Sequence, residues 1–387
     1  MNPGGFESTN TGACIRTLKG YHAFIPADMN RISQLTEYNQ TIATLLSQAD
    51  RLLGELSGTG RVLQNPYLLI SPYVRREAVS SSRIEGTQSS LSDLYFYEAF
   101  EVKKPKIPDV KEVSNYVRAL EEGIRLLDKL PISTRLVCEM HKTLMKGVRG
   151  EHATPGELRR SQNWIGPPGC TLNEATYVPP PVDEMKRALD DWEKFCNSDI
   201  EIPILIRAAI MHYQFEAIHP FIDGNGRIGR LLITLFLLQK GCLTQPIFYL
   251  SEFFDRYRDE YYRRLLAVSQ KGDVQNWIEF FLRGVIRKSE DALRDAEKIL
   301  QYYDQCQAIV KSSRKVPESV YALIDEIFTI PVLSISAISN KLGIPYNSVK
   351  NGVLRLVKLG ILKPVDEKQR NKIYAAHELL AILTESA

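Results

Sequence analysis

The sequence lacks any cysteine pattern typical of a zinc site or a disulfide framework. Its six cysteines have no C-x-x-C spacing and no accompanying pair of histidines. They are Cys14, Cys138, Cys170, Cys196, Cys242 and Cys306. Because disulfides are rare in reducing compartments, such scattered thiols favour a cytoplasmic protein.

Hydrophobic runs long enough to cross a bilayer are also missing, and no N-terminal stretch resembles a signal peptide. We therefore expect no membrane partner. The chain also has no large excess of charge of either sign, since 49 Lys and Arg against 46 Asp and Glu give a formal net charge of +3. That balance is too mild to imply a polyanionic partner.

What the chain does have is the composition of a soluble globular protein, with 44% hydrophobic and 25% charged residues. At 387 residues it exceeds one typical domain, so two or three units are expected. The first 20 residues are rich in Gly, Asn, Thr and Ser, and this composition predicts a flexible segment.

The most informative stretch is residues 219–230, which read His-Pro-Phe-Ile-Asp-Gly-Asn-Gly-Arg-Ile-Gly-Arg. Gly-Asn-Gly is turn chemistry, and the apolar run Leu231–Leu238 that follows predicts a buried helix. Unpaired N–H groups point out of such a helix start. Together with Arg227 and Arg230 they predict a binding site for a polyphosphate.

Two further side chains give this site its chemistry. Asp223 stands just before the turn and suits Mg²⁺, which prefers one or two carboxylates plus phosphate oxygens. His219 can take a proton from an incoming hydroxyl. The residues therefore predict transfer of a phosphate-containing group to a hydroxyl.

This stretch resembles the Fic family signature, H-x-F-x-D/E-G-N-G-R-x-x-R, at every specified position. The resemblance extends to about Arg314 and implies a mainly α protein, with a helical-bundle core and a β-hairpin flap. It also implies transfer of AMP from ATP to a Ser, Thr or Tyr hydroxyl of a target protein. In the related Doc branch, which acts as a kinase, the second glycine of the motif is replaced by Lys.

Here that position is Gly226, which favours nucleotidyl transfer. Aromatic residues after the motif wall the adenine in related proteins. The resemblance assigns the following residues to ATP: Gly224, Asn225, Gly226, Arg227, Arg230, and Tyr261 or Tyr262.

A second stretch places Ser81 and Glu85 four residues apart on one helix face, with Gly86 ending the helix. A carboxylate in the last turn is opposed by the helix dipole. The sequence Ser-x-x-x-Glu-Gly resembles the Fic inhibitory motif, [S/T]-x-x-x-E-[G/N]. The resemblance implies that Glu85 pairs with Arg230 and prevents correct presentation of the ATP α-phosphate.

Between residues 150 and 181, two β-prone pieces flank a Pro- and Gly-rich turn, which predicts a hairpin. A free strand edge can pair with an extended peptide. In Fic proteins the equivalent element is the flap, which aligns the target; a plain surface loop is the alternative. The flap residues are Asn163, Trp164, Ile165, Thr176, Tyr177 and Val178.

The tail resembles a winged helix, because three predicted helices precede two β-prone pieces. The helices are Val320–Ile327, Ser334–Leu342 and Tyr346–Leu359, and the pieces are Ile361–Val365 and Lys372–Ala375. From residue 311 onward, 11 Lys and Arg stand against 7 Asp and Glu, a net +4. Ser348, Lys350, Asn351 and Arg355 could meet DNA, and Lys368, Arg370 and Lys372 could contact phosphates. A protein partner or a homodimer stays open, since fold does not fix function.

The predicted organisation is a flexible N-terminus (1–20), a helical region with an inhibitory helix (21–108), a Fic catalytic core (109–310) and a small winged-helix domain (311–387). The predicted function is an inhibited protein adenylyltransferase, with ATP as substrate and Mg²⁺ as cofactor. Two alternatives stay open: removal of AMP or another nucleotidyl transfer on the same core, and a DNA-binding regulator that senses nucleotide. The sequence does not identify the target protein.

Overall fold

The computed structural model describes residues 1–7, 10–63, 65–100, 109–148, 154–313, 316–365 and 372–385. This part of the chain is mainly helical, as the sequence predicts, and carries two small antiparallel sheets. None of its helices is both long enough and apolar enough to cross a membrane.

The N-terminal segment is ordered by a two-stranded sheet, preceded by a 3₁₀ turn at Pro3–Gly5. Its antiparallel strands are β1 (Gly12–Arg16) and β2 (His22–Pro26). The structure thus differs from the prediction of a flexible segment over residues 1–20. The reason is aromatic packing, because the rings of Phe6 and Phe24 lie 6.3 and 5.9 Å from the ring of Tyr177.

Four helices follow: α1 (Met29–Ser33), α2 (Gln40–Val62), α3 (Tyr67–Ile84) and α4 (Leu91–Phe100). The hydrophobic spacing predicts one helix over residues 28–56, but the chain breaks after α1, and α2 runs past Gly54, Gly58 and Gly60. Gly60 does not end the helix, and its lack of a side chain lets Ile247 pack closely against α2. A Cβ there would lie 2.8 Å from Ile247 Cδ1.

Helix α3 contacts both ends of the molecule. It begins at Tyr67 and contains Pro72, whereas the sequence predicts a start at Ser71 and Pro72. The Ser71 hydroxyl donates to the carbonyl of Thr329, 2.7 Å away, in the part of the chain that follows residue 316. The helix ends before Gly86, whose φ of 90° is the left-handed turn that the sequence predicts.

The core contains α5 (Val110–Leu127), α6 (Thr134–Leu144), α7 (Val182–Asn197), α8 (Ile204–Ile218), α9 (Asn225–Gln239), α10 (Ser251–Arg256), α11 (Arg258–Lys271) and α12 (Val274–Lys311). Helices α8 and α9 pack against each other and are buried over nearly their whole length. Both are apolar on almost every face, which is typical of a central buried helix. Residues 219–224 join them, so the motif lies at the end of a buried helix pair.

The C-terminal unit (residues 316–385) contains α13 (Glu318–Thr329), β3 (Val332–Ser334), α14 (Ile335–Leu342), α15 (Tyr346–Lys358), β4 (Lys363–Pro364), β5 (Ile373–Ala375) and α16 (His377–Glu385). Its antiparallel sheet has the order β3-β5-β4. The three predicted helices and both β-prone pieces are present, while β3 and α16 are additional. Lys368 and Arg370 lie outside the described residues.

Candidate active site

His219 occupies a left-handed turn at the end of α8, with φ 50° and ψ 61°. This conformation is uncommon for a residue other than glycine. Its N–H donates to Phe215 O at 3.0 Å. The ring Nδ1 lies 3.2 Å from Glu216 O, and Nε2 has no protein partner in the described part of the chain. The ring is therefore held through Nδ1 with Nε2 available.

The electrostatic environment keeps this imidazole neutral. Burial lowers the pKa of His219 to about 4. If Nδ1–H donates to the Glu216 carbonyl, the lone pair is on Nε2. Nε2, which has no hydrogen bond within the described residues, can then accept a proton at neutral pH.

The turn and helix start are formed as the sequence predicts. Gly224 is the N-cap of α9, with a left-handed φ of 81°. The side chain of Asn225 is only 2% exposed, and it accepts from Phe221 N and donates to Phe221 O, both at 2.8 Å. This differs from the predicted ATP contact for Asn225, because both ends of its amide already hold the turn.

Arg227 and Arg230 are both buried beneath the turn. Arg227 lies 3.4 Å from Glu112 and 3.5 Å from Asp223, and its Nε has no partner among the described residues. Arg230 donates from Nε to Ser81 Oγ at 2.8 Å, while its Nη1 has no partner in the same part of the chain. These two buried nitrogens leave N–H donors for an anion, although both guanidinium groups are otherwise paired.

Glu85 makes the predicted contact with Arg230, with Oε1 2.7 Å from Nη2. Nη2 also donates to the Ser81 carbonyl at 2.9 Å. Burial raises the pKa of Glu85, but Arg230 more than offsets this and holds that pKa below its usual value. The carboxylate lies over Gly226, where any Cβ would clash with it. Glu85 thus covers the start of α9 as a charged group.

Asp223 fits a role in Mg²⁺ binding. Its side chain is about half exposed, and Oδ1 accepts from Gly224 N at 2.6 Å. The described residues contain no cluster of three or more metal-binding side chains. Mg²⁺ does not require such a cluster, because one carboxylate plus phosphates and water can satisfy it.

The two tyrosines predicted to contact adenine occupy different environments. Tyr261 is 1% exposed, its hydroxyl lies 2.9 Å from His212 Nε2, and its ring stacks on Phe254 at 4.4 Å. Tyr262 is 42% exposed. Tyr261 is therefore a core residue, and only Tyr262 presents a ring surface to a ligand.

The predicted hairpin is reduced to a single β-bridge between Ile165 and Tyr177, with hydrogen bonds of 2.8 and 3.0 Å. Trp164 Nε1 donates to Cys170 O, so the intervening turn folds on itself instead of extending the strands. Trp164, Ile165 and Thr176 are exposed, whereas Asn163, Tyr177 and Val178 are buried. We call residues 163–178 the flap.

The flap is held on two sides. Asn163 Nδ2 donates to Phe221 O at 2.7 Å, which ties the flap to the motif turn. Phe24 N donates to Val178 O at 2.9 Å, so the N-terminal segment covers the edge beyond Val178. The edge at Trp164 carries no such strand within the described residues.

The structure also brings in residues that no motif indicated. Arg159 bonds the His219 carbonyl and Glu112 pairs with Arg227, and in both cases the two residues are far apart in the sequence. His141, which the sequence predicts to be a packed or surface residue and not a catalytic one, is packed, with Nε2 3.0 Å from Asp223 O and its ring stacked on Phe221 at 3.8 Å. No local sequence signal marks Arg159 or Glu112.

Comparison with known families matches residues 43–125 to the Fic/DOC family N-terminal domain and residues 131–237 to the Fic/DOC family domain. The chain therefore contains both domains of the Fic/DOC family. Relatives named protein adenylyltransferase Fic, from Drosophila yakuba and Drosophila erecta, are each 29% identical over 157 residues. The match covers 40% of this chain and only 28% of each relative's length.

Solved structures show the same fold. A Fic family protein from Desulfovibrio desulfuricans is 20% identical with a TM-score of 0.56, covering 88% of this chain and 97% of that chain. Fic-1 from C. elegans is 22% identical with a TM-score of 0.50, covering 67% of this chain and 74% of that chain.

Proposed function

We propose that this protein transfers AMP from ATP to a Ser, Thr or Tyr hydroxyl of a target protein, and that Glu85 holds it inhibited. The observation that carries the proposal is the arrangement of one corner. A neutral His219 stands at the turn from which α9 starts, and Arg230 in the first turns of α9 is paired with Glu85. The relatives named protein adenylyltransferase support the reaction class.

In this proposal the phosphates bind at the start of α9. Its unpaired N–H groups and positive dipole end favour an anion there. Arg227 and Arg230 add charge that is buried and preorganised. Asp223 would hold Mg²⁺, which when bound neutralises phosphate charge.

His219 then acts as the general base. Its Nε2 takes the proton of the target hydroxyl, and the hydroxyl oxygen forms a bond to the α-phosphorus. The bond from that phosphorus to the β-phosphate oxygen breaks, and pyrophosphate leaves. The protein forms no covalent intermediate, so its contribution is positioning and electrostatic stabilisation.

Glu85 inhibits by pairing with Arg230, the cation that would otherwise bind the terminal phosphate of ATP. Its Oε1 is 2.7 Å from Arg230 Nη2, so a phosphate placed there would meet a carboxylate. Two like charges at this distance repel strongly in a partly buried site. ATP would bind shifted, with its α-phosphorus out of line with the target hydroxyl.

The target segment would bind along the flap as an extended strand. The edge beyond Val178 is covered by Phe24, which leaves the edge at Trp164. Main-chain pairing there places few demands on the target's sequence. Exposed Trp164 and Ile165 provide apolar contact beside the hydroxyl.

Labelled ATP tests the proposal. Wild type, Glu85→Gly and the double variant with His219→Ala are incubated with a cell extract, Mg²⁺ and either α-³²P or γ-³²P ATP. We expect Glu85→Gly to label protein from the α position only, and the other two to label little. Label from the γ position would instead indicate a kinase. Loss of AMP from labelled protein in wild type but not in Glu85→Gly would favour AMP removal.

We propose the C-terminal unit as a winged helix that binds DNA. Support comes from α15, where Ser348, Lys350 and Asn351 are exposed while Val349 and Val353 are buried. Binding of the full chain to duplex DNA should weaken as salt rises, and Lys350→Ala should reduce the salt slope by about one. Absence of salt-dependent binding would leave a protein partner as the role of this unit.

A further inference from the structure

Arg159 is a buried cation without a counterion. It lies just before the flap and is 1% exposed. No carboxylate pairs with it anywhere in the described ranges. Burying a charge is costly unless hydrogen bonds compensate. Hydrogen bonds to most of its N–H groups are therefore needed to offset the cost of burying this guanidinium.

Carbonyl oxygens from three places in the chain supply those bonds. Arg159 donates from Nε to His219 O at 2.9 Å, from Nη2 to Pro180 O at 2.5 Å and Ile218 O at 3.5 Å, and from Nη1 to Ser161 O at 3.3 Å. Its backbone N–H also donates to Pro220 O at 2.9 Å.

These acceptors all lie around the turn that carries His219. Ser161 precedes the flap, Pro180 follows it, and Ile218 and His219 end α8. Carbonyls at a helix end lack intrahelical partners, and His219 is also in a left-handed conformation. One rigid planar guanidinium thus fixes both legs of the flap relative to the His219 backbone.

We propose that Arg159 is a positioning residue, which sets the distance between the imidazole of His219 and the target segment on the flap. This inference rests on the proposed transfer reaction. Asn163 is a second tie of the same kind, since its Nδ2 lies 3.3 Å from His219 O and 2.7 Å from Phe221 O. Arg159 does not touch the residues at the start of α9, so it acts on attack geometry and not on ATP binding.

The chain provides a matched control in Arg207. It is 3% exposed and likewise donates to carbonyls, from Nη2 to Phe195 O at 2.7 Å and Ser198 O at 3.0 Å. These acceptors lie at the opposite end of α8 from His219. Replacing Arg207 removes the same chemistry from the core without touching the flap or the motif.

The test measures auto-modification by α-³²P ATP in the Glu85→Gly background. Arg159→Met should lower the rate at saturating ATP by about a hundredfold, as expected when reacting groups are misplaced by about 1 Å. The half-saturating ATP concentration should stay within about twofold, because the phosphate site is intact. Arg159→Lys should recover about tenfold of the loss, since an ammonium reaches some of the same carbonyls.

Arg207→Met should retain the parent rate per folded molecule. An equal loss in Arg207→Met, or an unchanged rate in Arg159→Met, would overturn the assignment. If Arg159→Met does not fold, Arg159→Lys and Asn163→Ala decide the question. A normal rate in both would overturn it, and a lower rate at unchanged ATP affinity would support it.

Amide hydrogen exchange provides a readout that does not depend on activity. Arg159→Met should speed exchange together in peptides covering 161–166, 176–181 and 218–222, whereas Arg207→Met should affect 195–200. Faster exchange at the flap alone, with 218–222 unchanged, would contradict the tie. If the Glu85→Gly parent labels nothing, the transfer function fails, but the exchange result still decides whether Arg159 joins the flap to His219.

Discussion

At the scale of single residues, the site depends on ionisable groups held in defined states by their surroundings. His219 is neutral because it is buried. Glu85 is ionised because Arg230 outweighs the effect of burial. Burial raises the pKa of Glu216 to about 8, so that neighbouring carboxyl is mostly protonated at neutral pH. A base, a charged blocking group and a neutral acid therefore coexist around one site.

The neutral His219 predicts an unusual pH profile. The base form exists above its pKa of about 4, so kcat/KM of Glu85→Gly should stay flat on the acidic side from pH 7 to about 5. Activity should be lost only as the pH falls towards 4 and the ring is protonated. An acidic limb near pH 6.5, the usual histidine value, would contradict this prediction.

Folding has to be monitored in the same experiment. The unfolded chain protonates His219 near pH 6.5 and the folded chain only near 4, so the unfolded state binds more protons between these values. Acid therefore destabilises the fold through this group. Circular dichroism at each pH separates that loss from a loss of the base.

The Glu85 contact predicts a difference in ATP binding. ATP with Mg²⁺ should stabilise Glu85→Gly more than wild type, because the variant should bind ATP more tightly. A ligand present at 100 times its Kd stabilises the folded state by about 2.7 kcal/mol. Ser81→Ala, which removes the acceptor of Arg230 Nε, should be intermediate. Thermal unfolding with and without nucleotide measures this.

Arg83 is the control on the same helix. It pairs with Asp255 at 3.2 Å and is exposed, so Arg83→Ala should respond to ATP as wild type does. An equal response of wild type and Glu85→Gly would contradict the blocking role.

At the scale of elements, the sequence predicts what depends on neighbours in the chain. Helices α8 and α9 and the turn between them follow from apolar runs and Gly-Asn-Gly. Strand β1 escapes prediction because it lies in a stretch rich in Gly, Asn, Thr and Ser, and because its order depends on Phe24 packing against the distant Tyr177. The flap strands shrink to one bridge for a similar reason, since the Trp164 side chain bonds within the turn.

The candidate site divides in the same way. His219, Asp223 and the glycines are found from a contiguous motif, and the Glu85 contact from a second motif far away in sequence. Arg159 and Glu112 act through contacts that no spacing encodes. The motif does not encode that the Asn225 amide bonds the backbone of Phe221, so sequence alone could not separate that role from the predicted ATP contact.

Strand β2 pairs with β1, which lies in the segment expected to be flexible (1–20), and this pairing predicts a stability effect. Phe24 is fully buried, so Phe24→Ala should cost about 3–5 kcal/mol of unfolding free energy. Leu18 in the same segment is fully exposed, and Leu18→Ala should stay within about 0.5 kcal/mol of wild type. Urea unfolding measures both, and equal stabilities would mean that the segment does not belong to the fold.

At the scale of the whole molecule, α12 connects the parts. Its 38 residues pack on α2 and α8 and then on α13 and α16 of the C-terminal unit. At about 1.5 Å per residue, a helix of this kind spans several tens of ångströms. The site and the C-terminal unit are therefore joined by one continuous element.

Interrupting α12 should weaken this connection. Glu297 is exposed near its middle, and Glu297→Pro should cost about 3 kcal/mol because proline removes a backbone bond and clashes with the preceding turn. Glu297→Ala keeps the helix and should be nearly neutral. Urea unfolding that shows no difference between the two variants would contradict a continuous helix.

The packing of α12 has a practical consequence for dividing the protein into fragments. A cut at residue 311, where the composition changes, would leave Tyr302 and Tyr303 on one piece and Phe328 of α13, against which both rings pack, on the other. Each piece would then expose a hydrophobic surface and tend to aggregate. Soluble fragments of the C-terminal unit should retain the last turns of this helix.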